Sequence, residues 1–113
     1  MIQILHNNRC SKSREALAWL EERKHAFEQI DYLNEELTPS YLEELFEKLE
    51  LEPSEILRTN EAIWKENYKS LDLSEDEILM VMVEEPKLIQ RPIVVNGEKA
   101  IIARPADRIA EIL

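Results

Sequence analysis

The stretch Pro92-Ile93-Val94-Val95-Asn96-Gly97-Glu98-Lys99-Ala100-Ile101-Ile102 sets two short, apolar, strand-like runs on either side of an Asn-Gly pair. Asn and Gly both tolerate the positive φ that tight hairpin turns demand, so the stretch predicts two antiparallel strands joined by a tight turn. Gly97 is the only glycine in the chain, which leaves few other places for a hinge. On the C-terminal side, Pro105 can open a last helix running to Leu113, with Ile109, Ile112 and Leu113 available for burial. On the N-terminal side, Ser74 and Glu77 form a capping box ahead of Ile78, Leu79, Met82 and Val83, and Pro86 closes that helix.

Further outward, residues 53–57 and 61–69 read as shorter helices. Thr38 followed by Pro39 supplies a cap and a proline at the first helical position, and Leu42, Leu45, Phe46 and Leu49 follow at helical spacing. The chain begins with a short buried strand over residues 2–5. A helix over about 11–24 comes next, with Ala16, Leu17 and Leu20 on one face, and then a second strand over 27–33, marked by its alternation of apolar and polar positions.

The order β-α-β, helical block, β-β-α defines an α/β protein. It predicts a four-stranded mixed sheet with flanking helices, the first two strands joined by a crossover helix and the last two by a turn. The arrangement is similar to that of thioredoxin, with a helical insertion at about 38–85 between the second and third strands. At 113 residues the chain is expected to form a single domain, 1–113, that buries about two-thirds of the surface its unfolded form exposes. In such a fold the end of the first strand and the proline before the third meet at one site, which here brings Cys10 toward Pro92. A cis bond is expected between Arg91 and Pro92.

Cys10 is the only cysteine and stands in His6-Asn7-Asn8-Arg9-Cys10-Ser11-Lys12-Ser13-Arg14, just past the first strand and just before the first helix. The amide dipoles of a helix start favour a thiolate over a thiol. One cysteine cannot form an internal disulfide, which suits a reducing compartment and a thiol kept for chemistry. A lone cysteine is most often a small buried hydrophobe, but Asn, Arg, Ser and Lys surround this one.

Charge narrows the partners. Lys and Arg number 14 against 24 Asp and Glu, a net charge of −10, and the acidic residues gather in 35–55 and 75–85. Such a surface repels nucleic acid and anionic lipid. No stretch reaches the roughly 18 apolar residues of a membrane span, and no basic run precedes an apolar core at the N-terminus. A cytoplasmic protein that binds no nucleic acid and no membrane is expected, and a monomer. No metal-ligand spacing, glycine-rich phosphate loop or Ser-His-Asp set appears.

Four separated motifs carry a family resemblance: His6-Asn7-x-x-Cys10-x-x-Ser13-Arg14, Leu57-Arg58, Arg91-Pro92-Ile93-Val94-Val95, and Arg104-Pro105. Together, and over essentially the whole chain, they resemble the glutaredoxin-dependent arsenate reductase family of the thioredoxin-like superfamily. The resemblance implies that Cys10 is the nucleophile and that Arg58, Arg91 and Arg104 hold the oxyanion. Guanidinium forks suit that task, because they bind oxyanion oxygens in pairs and neutralise charge that would repel a thiolate. His6 and Ser13 match positions flanking the thiol. His6 either stabilises the thiolate and its loop or is a strand-end residue with a satisfied hydrogen bond, and Ser13 either donates to the sulfur or simply starts a helix.

The resemblance further implies a small oxyanion substrate, no bound cofactor, and glutathione as thiol co-substrate with glutaredoxin to clear the product disulfide. Without a second cysteine, Cys10 has no internal resolving partner, so turnover must end on an external thiol. The chain departs from the family twice. Asn8 stands where many members have proline, which frees φ in the loop, and Ser13 stands where the members that regulate RNA polymerase have a second cysteine. A non-enzymatic adaptor or regulator binding a protein partner such as RNA polymerase is the alternative; retention of the three arginines with the cysteine favours the reductase. Of the remaining residues, Arg9, Arg14, Arg23 and Arg108 read as solvated ion-pair partners, His25 as surface, and Trp19 and Trp64 as core or helix-packing residues.

Overall fold

The computed structural model describes residues 1–7 and 9–113, so the loop reading made for Asn8 lies outside the described residues. The chain forms two compact units, one made of Met1–Glu36 with Arg91–Leu113 and the other of Leu37–Gln90.

The first unit is a four-stranded mixed sheet in the order β2-β1-β3-β4. Strand β1 (Ile2–Leu5) pairs in parallel with β2 (Phe27–Ile30) and antiparallel with β3 (Ile93–Asn96), and β3 pairs antiparallel with β4 (Lys99–Ile102). Asn96 pairs with Lys99, so the turn residues are Gly97 and Glu98, one position later than an Asn-Gly turn would place them. Gly97 has φ +64° and Glu98 is not among the positive-φ residues, the pattern of a turn that needs the left-handed region at its first position only. Asn96 is thereby freed for another task, and its Nδ2 donates to the Ile112 carbonyl at 2.8 Å.

Helix α1 (Ser11–Glu22) crosses between β1 and β2. It stops short of Lys24 because Lys24 takes φ 59°, with its N–H on the Glu21 carbonyl (3.0 Å) and the His25 N–H on the Leu20 carbonyl (3.1 Å). That pair of bonds closes the orphan carbonyls of a helix end. The core gathers Ile4, Ala16, Leu20, Val94, Ala103 and Ile109, contributed by the sheet, α1 and the C-terminal segment. Trp19 joins it, with Nε1 donating to Asp107 Oδ1 at 3.0 Å.

Several expectations are corrected in this unit. Strand β2 ends at Ile30, not at residue 33, because the Asp31 carbonyl accepts the N–H groups of both Asn34 and Glu35 at 3.1 Å and turns the chain. The last helix is a 3-10 helix over Ala106–Ile112 with Pro105 just outside it. Ile109 and Ile112 are buried there, but Leu113 is exposed. His25 is half-buried and stacks on Trp19, with ring centroids 6.0 Å apart, and Arg23 lies 4.0 Å over the same ring.

The second unit is helical. Helix α2 (Pro39–Leu49) starts where Thr38 Oγ1 accepts the Tyr41 N–H at 3.1 Å, and buries Leu42, Leu45, Phe46 and Leu49. The unit also holds short turns of 3-10 helix at Pro53–Ile56, Lys69–Leu71 and Pro86–Leu88, and α3 (Ala62–Asn67), which is shorter than residues 61–69. Helix α4 (Glu75–Glu84) carries the capping box, Ser74 Oγ accepting from the Glu77 N–H (3.2 Å) and Glu77 Oε1 from the Ser74 N–H (2.9 Å). Ile78, Leu79, Val81 and Met82 are its buried face. Trp64 is half-buried and stacks on Tyr68 at 5.9 Å. Among the described residues no helix is long and apolar enough to cross a membrane.

Candidate active site

Cys10 is the residue that caps the N-terminus of α1, with φ −98° and ψ 123°. Its extended backbone lets its carbonyl accept the Arg14 N–H at 3.1 Å while its own N–H donates to the Asn7 carbonyl at 3.0 Å. The sulfur therefore sits over the first, unsatisfied amides of the helix. Burial raises the thiol's pKa, but the Ser13 backbone N–H, the Arg91 guanidinium, the Ser13 hydroxyl and the Lys12 N–H all stabilise the anion, and the net result is a fall from 9.0 to about 7.

Two arginines border the sulfur. Arg104 Nη2 donates to Cys10 Sγ at 3.8 Å, and Arg104 Nε donates to the Arg91 carbonyl at 2.7 Å. Arg91 is half-buried; desolvation opposes its charge, but Tyr32 and the Cys10 sulfur outweigh it and hold the guanidinium cationic. The Arg91–Pro92 bond is cis, and so is Arg104–Pro105, which the sequence reading did not anticipate. The corner before β3 and the corner after β4 thus each contribute one arginine to the same thiol.

Ser13 is fully buried, and its hydroxyl has a second role besides facing the sulfur: it accepts the Asn7 N–H at 3.4 Å. His6 is buried at the end of β1, where its N–H donates to the Ile30 carbonyl at 2.9 Å. Arg58 belongs to the helical unit; its N–H donates to the Leu88 carbonyl (2.8 Å), and its Nη1 pairs with Glu61 at 3.1 Å. The geometry that joins Cys10, Ser13, Arg91 and Arg104 is internal to the sheet unit. Tyr32 was missed as a site residue. Its only sequence signal was a place in an alternating run, yet it is 1% exposed and lies against Arg91. Among the described residues no group of three or more His, Cys, Asp or Glu could hold a metal ion.

A single thiol at a helix start, beside a cis-proline corner on a four-stranded mixed sheet, places the chain among thioredoxin-like proteins with one cysteine. More narrowly, the chain belongs to the ArsC family, whose model matches residues 5–112. It is 39% identical over 114 residues to an arsenate reductase of Neisseria meningitidis, covering 99% of this chain and 97% of that protein. It is 40% identical over 114 residues to the Escherichia coli protein YfgD, with 99% and 96% covered. The structure of an arsenate reductase from Vibrio cholerae matches with a TM-score of 0.92 at 41% identity, over 99% of this chain and 97% of that one. A more distant relative, 27% identical over 114 residues, is the global transcriptional regulator Spx of Streptococcus pneumoniae, with 100% of this chain and 86% of that protein covered.

Proposed function

We propose that this protein reduces arsenate, or a closely related oxyanion, to the trivalent state through a covalent Cys10 adduct resolved by glutathione and glutaredoxin. Oxyanion reduction is the activity named for its arsenate reductase relatives. The observation that carries the reading is a low-pKa thiol with two guanidinium groups beside it: a nucleophile and an anion cradle at one point. In the first step the Cys10 thiolate attacks arsenic and an oxygen leaves as water, giving a sulfur–arsenic(V) bond. Arg91 and Arg104 offset the charge that would otherwise keep two anions apart. Ser13 and His6 support the thiol loop.

In the second step the thiolate of glutathione attacks the Cys10 sulfur. The sulfur–arsenic bond breaks, its electron pair stays on arsenic, and arsenite departs. The two electrons come from the two sulfurs, which are left as a mixed disulfide. Glutaredoxin then attacks the glutathione sulfur and frees the Cys10 thiolate. The test is arsenite production with glutathione and glutaredoxin by wild type and by Cys10→Ser. Turnover by wild type alone supports the reading, and equal rates end it.

The likeness to Spx favours a second reading, a protein that keeps the fold and binds a partner such as RNA polymerase. Pull-down of polymerase by the Cys10→Ser protein, with no arsenite formed by wild type, would select it.

A further inference from the structure

Arg9 and Asp31 line one cavity of about 480 Å³ in the sheet unit, together with Asn7, Leu33 and Asn34. One wall is formed by Asn7 and Arg9, close to Cys10 in the chain. Asn7 Oδ1 accepts the Arg9 N–H at 3.0 Å, and the Asn7 carbonyl accepts the Cys10 N–H, so the cavity and the thiol share a framework. The other wall is the turn after β2, held by the bond from Asn34 Nδ2 to Asp31 Oδ2 at 2.6 Å. The His6 N–H bond to the Ile30 carbonyl fastens the two walls to each other.

This cavity carries one charge of each sign, Arg9 and Asp31. In a chain of net charge −10, Arg9 has no ion pair among the described residues, against the expectation of a solvated ion-pair partner; Arg23 and Arg108 do pair, with Glu22 and Glu111. Asp31 has none either, although it lines the same cavity as Arg9. Opposite charges that face one space without meeting suit a ligand that carries both signs close together. An α-amino-acid group does so, with a carboxylate for the guanidinium fork and an ammonium for Asp31. Asn7 and Asn34 offer amide partners for a peptide bond, and Leu33 a small apolar surface.

We infer that this cavity binds the α-amino-acid end of a small peptide thiol, the co-substrate that attacks the Cys10 adduct. The place in turnover rests on the proposed reductase reading; the binding itself does not. Glutathione has this chemistry, with its α-carboxylate and α-ammonium on one carbon and its thiol a short extended peptide away. The charge of Arg9, the residue before Cys10 in the chain, also offsets the repulsion that an acidic protein exerts on an anionic peptide.

The test is an NMR titration of the whole chain with S-methylglutathione, whose sulfur cannot react. Saturable shifts are expected at the amides of Asn7, Arg9 and Asn34. Arg9→Gln and Asp31→Asn should each weaken binding about fivefold or more, the scale of one lost charged contact at a partly exposed site. N-acetyl-S-methylglutathione, which lacks the ammonium, should bind wild type as weakly as S-methylglutathione binds Asp31→Asn. Folding of each variant is read from the same spectra. No saturable binding, or binding that neither substitution weakens, overturns the site. Arsenite assays on the same samples separate the two claims: arsenite formed without binding removes this site alone, and binding without arsenite removes the reductase reading alone.

Discussion

Arg104 spans from the Arg91 carbonyl, which accepts its Nε at 2.7 Å, to the Cys10 sulfur, which lies 3.8 Å from its Nη2. One planar guanidinium is thus fixed at one edge and turned to the thiol at the other. A lysine has the charge but a single donor group and cannot hold both ends. Arg104→Lys is therefore expected to lower kcat/KM for arsenate about tenfold or more, the effect of one charged hydrogen bond, with Cys10 still open to alkylation. Steady-state kinetics of the variant check it.

The thiol's own titration gives a second prediction. With the pKa at about 7, roughly half of Cys10 is thiolate at neutral pH, against about 1% for a thiol at 9.0. Iodoacetamide alkylation of wild type should follow a single curve with its midpoint near 7. Arg91→Met removes a group that stabilises the anion, so its midpoint should move upward. The sign for stability follows. The folded-state value lies below the ordinary one, so the thiolate favours the folded state fully above about pH 9, and that contribution is lost as pH falls through about 7.

Ser13→Ala should raise the alkylation midpoint and also destabilise the fold. Its fully buried hydroxyl faces the sulfur and accepts the Asn7 N–H, and deleting it leaves that amide short of a partner at about 1–3 kcal/mol. Urea unfolding and alkylation of the same variant measure the two effects together. A change in stability without a change in the midpoint would reduce Ser13 to a structural residue.

Two backbone predictions test the fold apart from the site. Gly97→Ala places a Cβ on a residue at φ +64° with nothing within 4 Å of it, so the cost is conformational alone, about 1–2 kcal/mol. Ser74→Ala removes the cap of α4 at about 1 kcal/mol. Chemical denaturation should show both losses.

The parts of the fold written in local chemistry were legible. The Thr38-Pro39 start, the Ser74 and Glu77 box and the strand-turn-strand pattern around Gly97 each depend on residues within three or four positions, and each is present. Lys24 in the left-handed region, and the two carbonyl bonds that turn the chain at Asp31, left no comparable mark, so α1 and β2 end earlier than their patterns suggested. In the site, Cys10 stood out because its neighbours are polar and a strand and helix flank it. Tyr32 meets Arg91 from a segment distant in sequence, where spacing carries no signal. The second cis bond, at Pro105, was likewise hidden in an ordinary Arg-Pro pair.

The central claim, that Cys10 is the one covalent centre and an external thiol completes its turnover, is tested most directly by mass spectrometry of Cys10 after mixing the protein with arsenate and glutathione, glutaredoxin withheld. The account predicts arsenite and Cys10-glutathione mixed disulfide in equal amounts, about one of each per chain, with both dependent on arsenate and both absent in Cys10→Ser. Arsenite released by Cys10→Ser, or by wild type with Cys10 left unmodified, would contradict it.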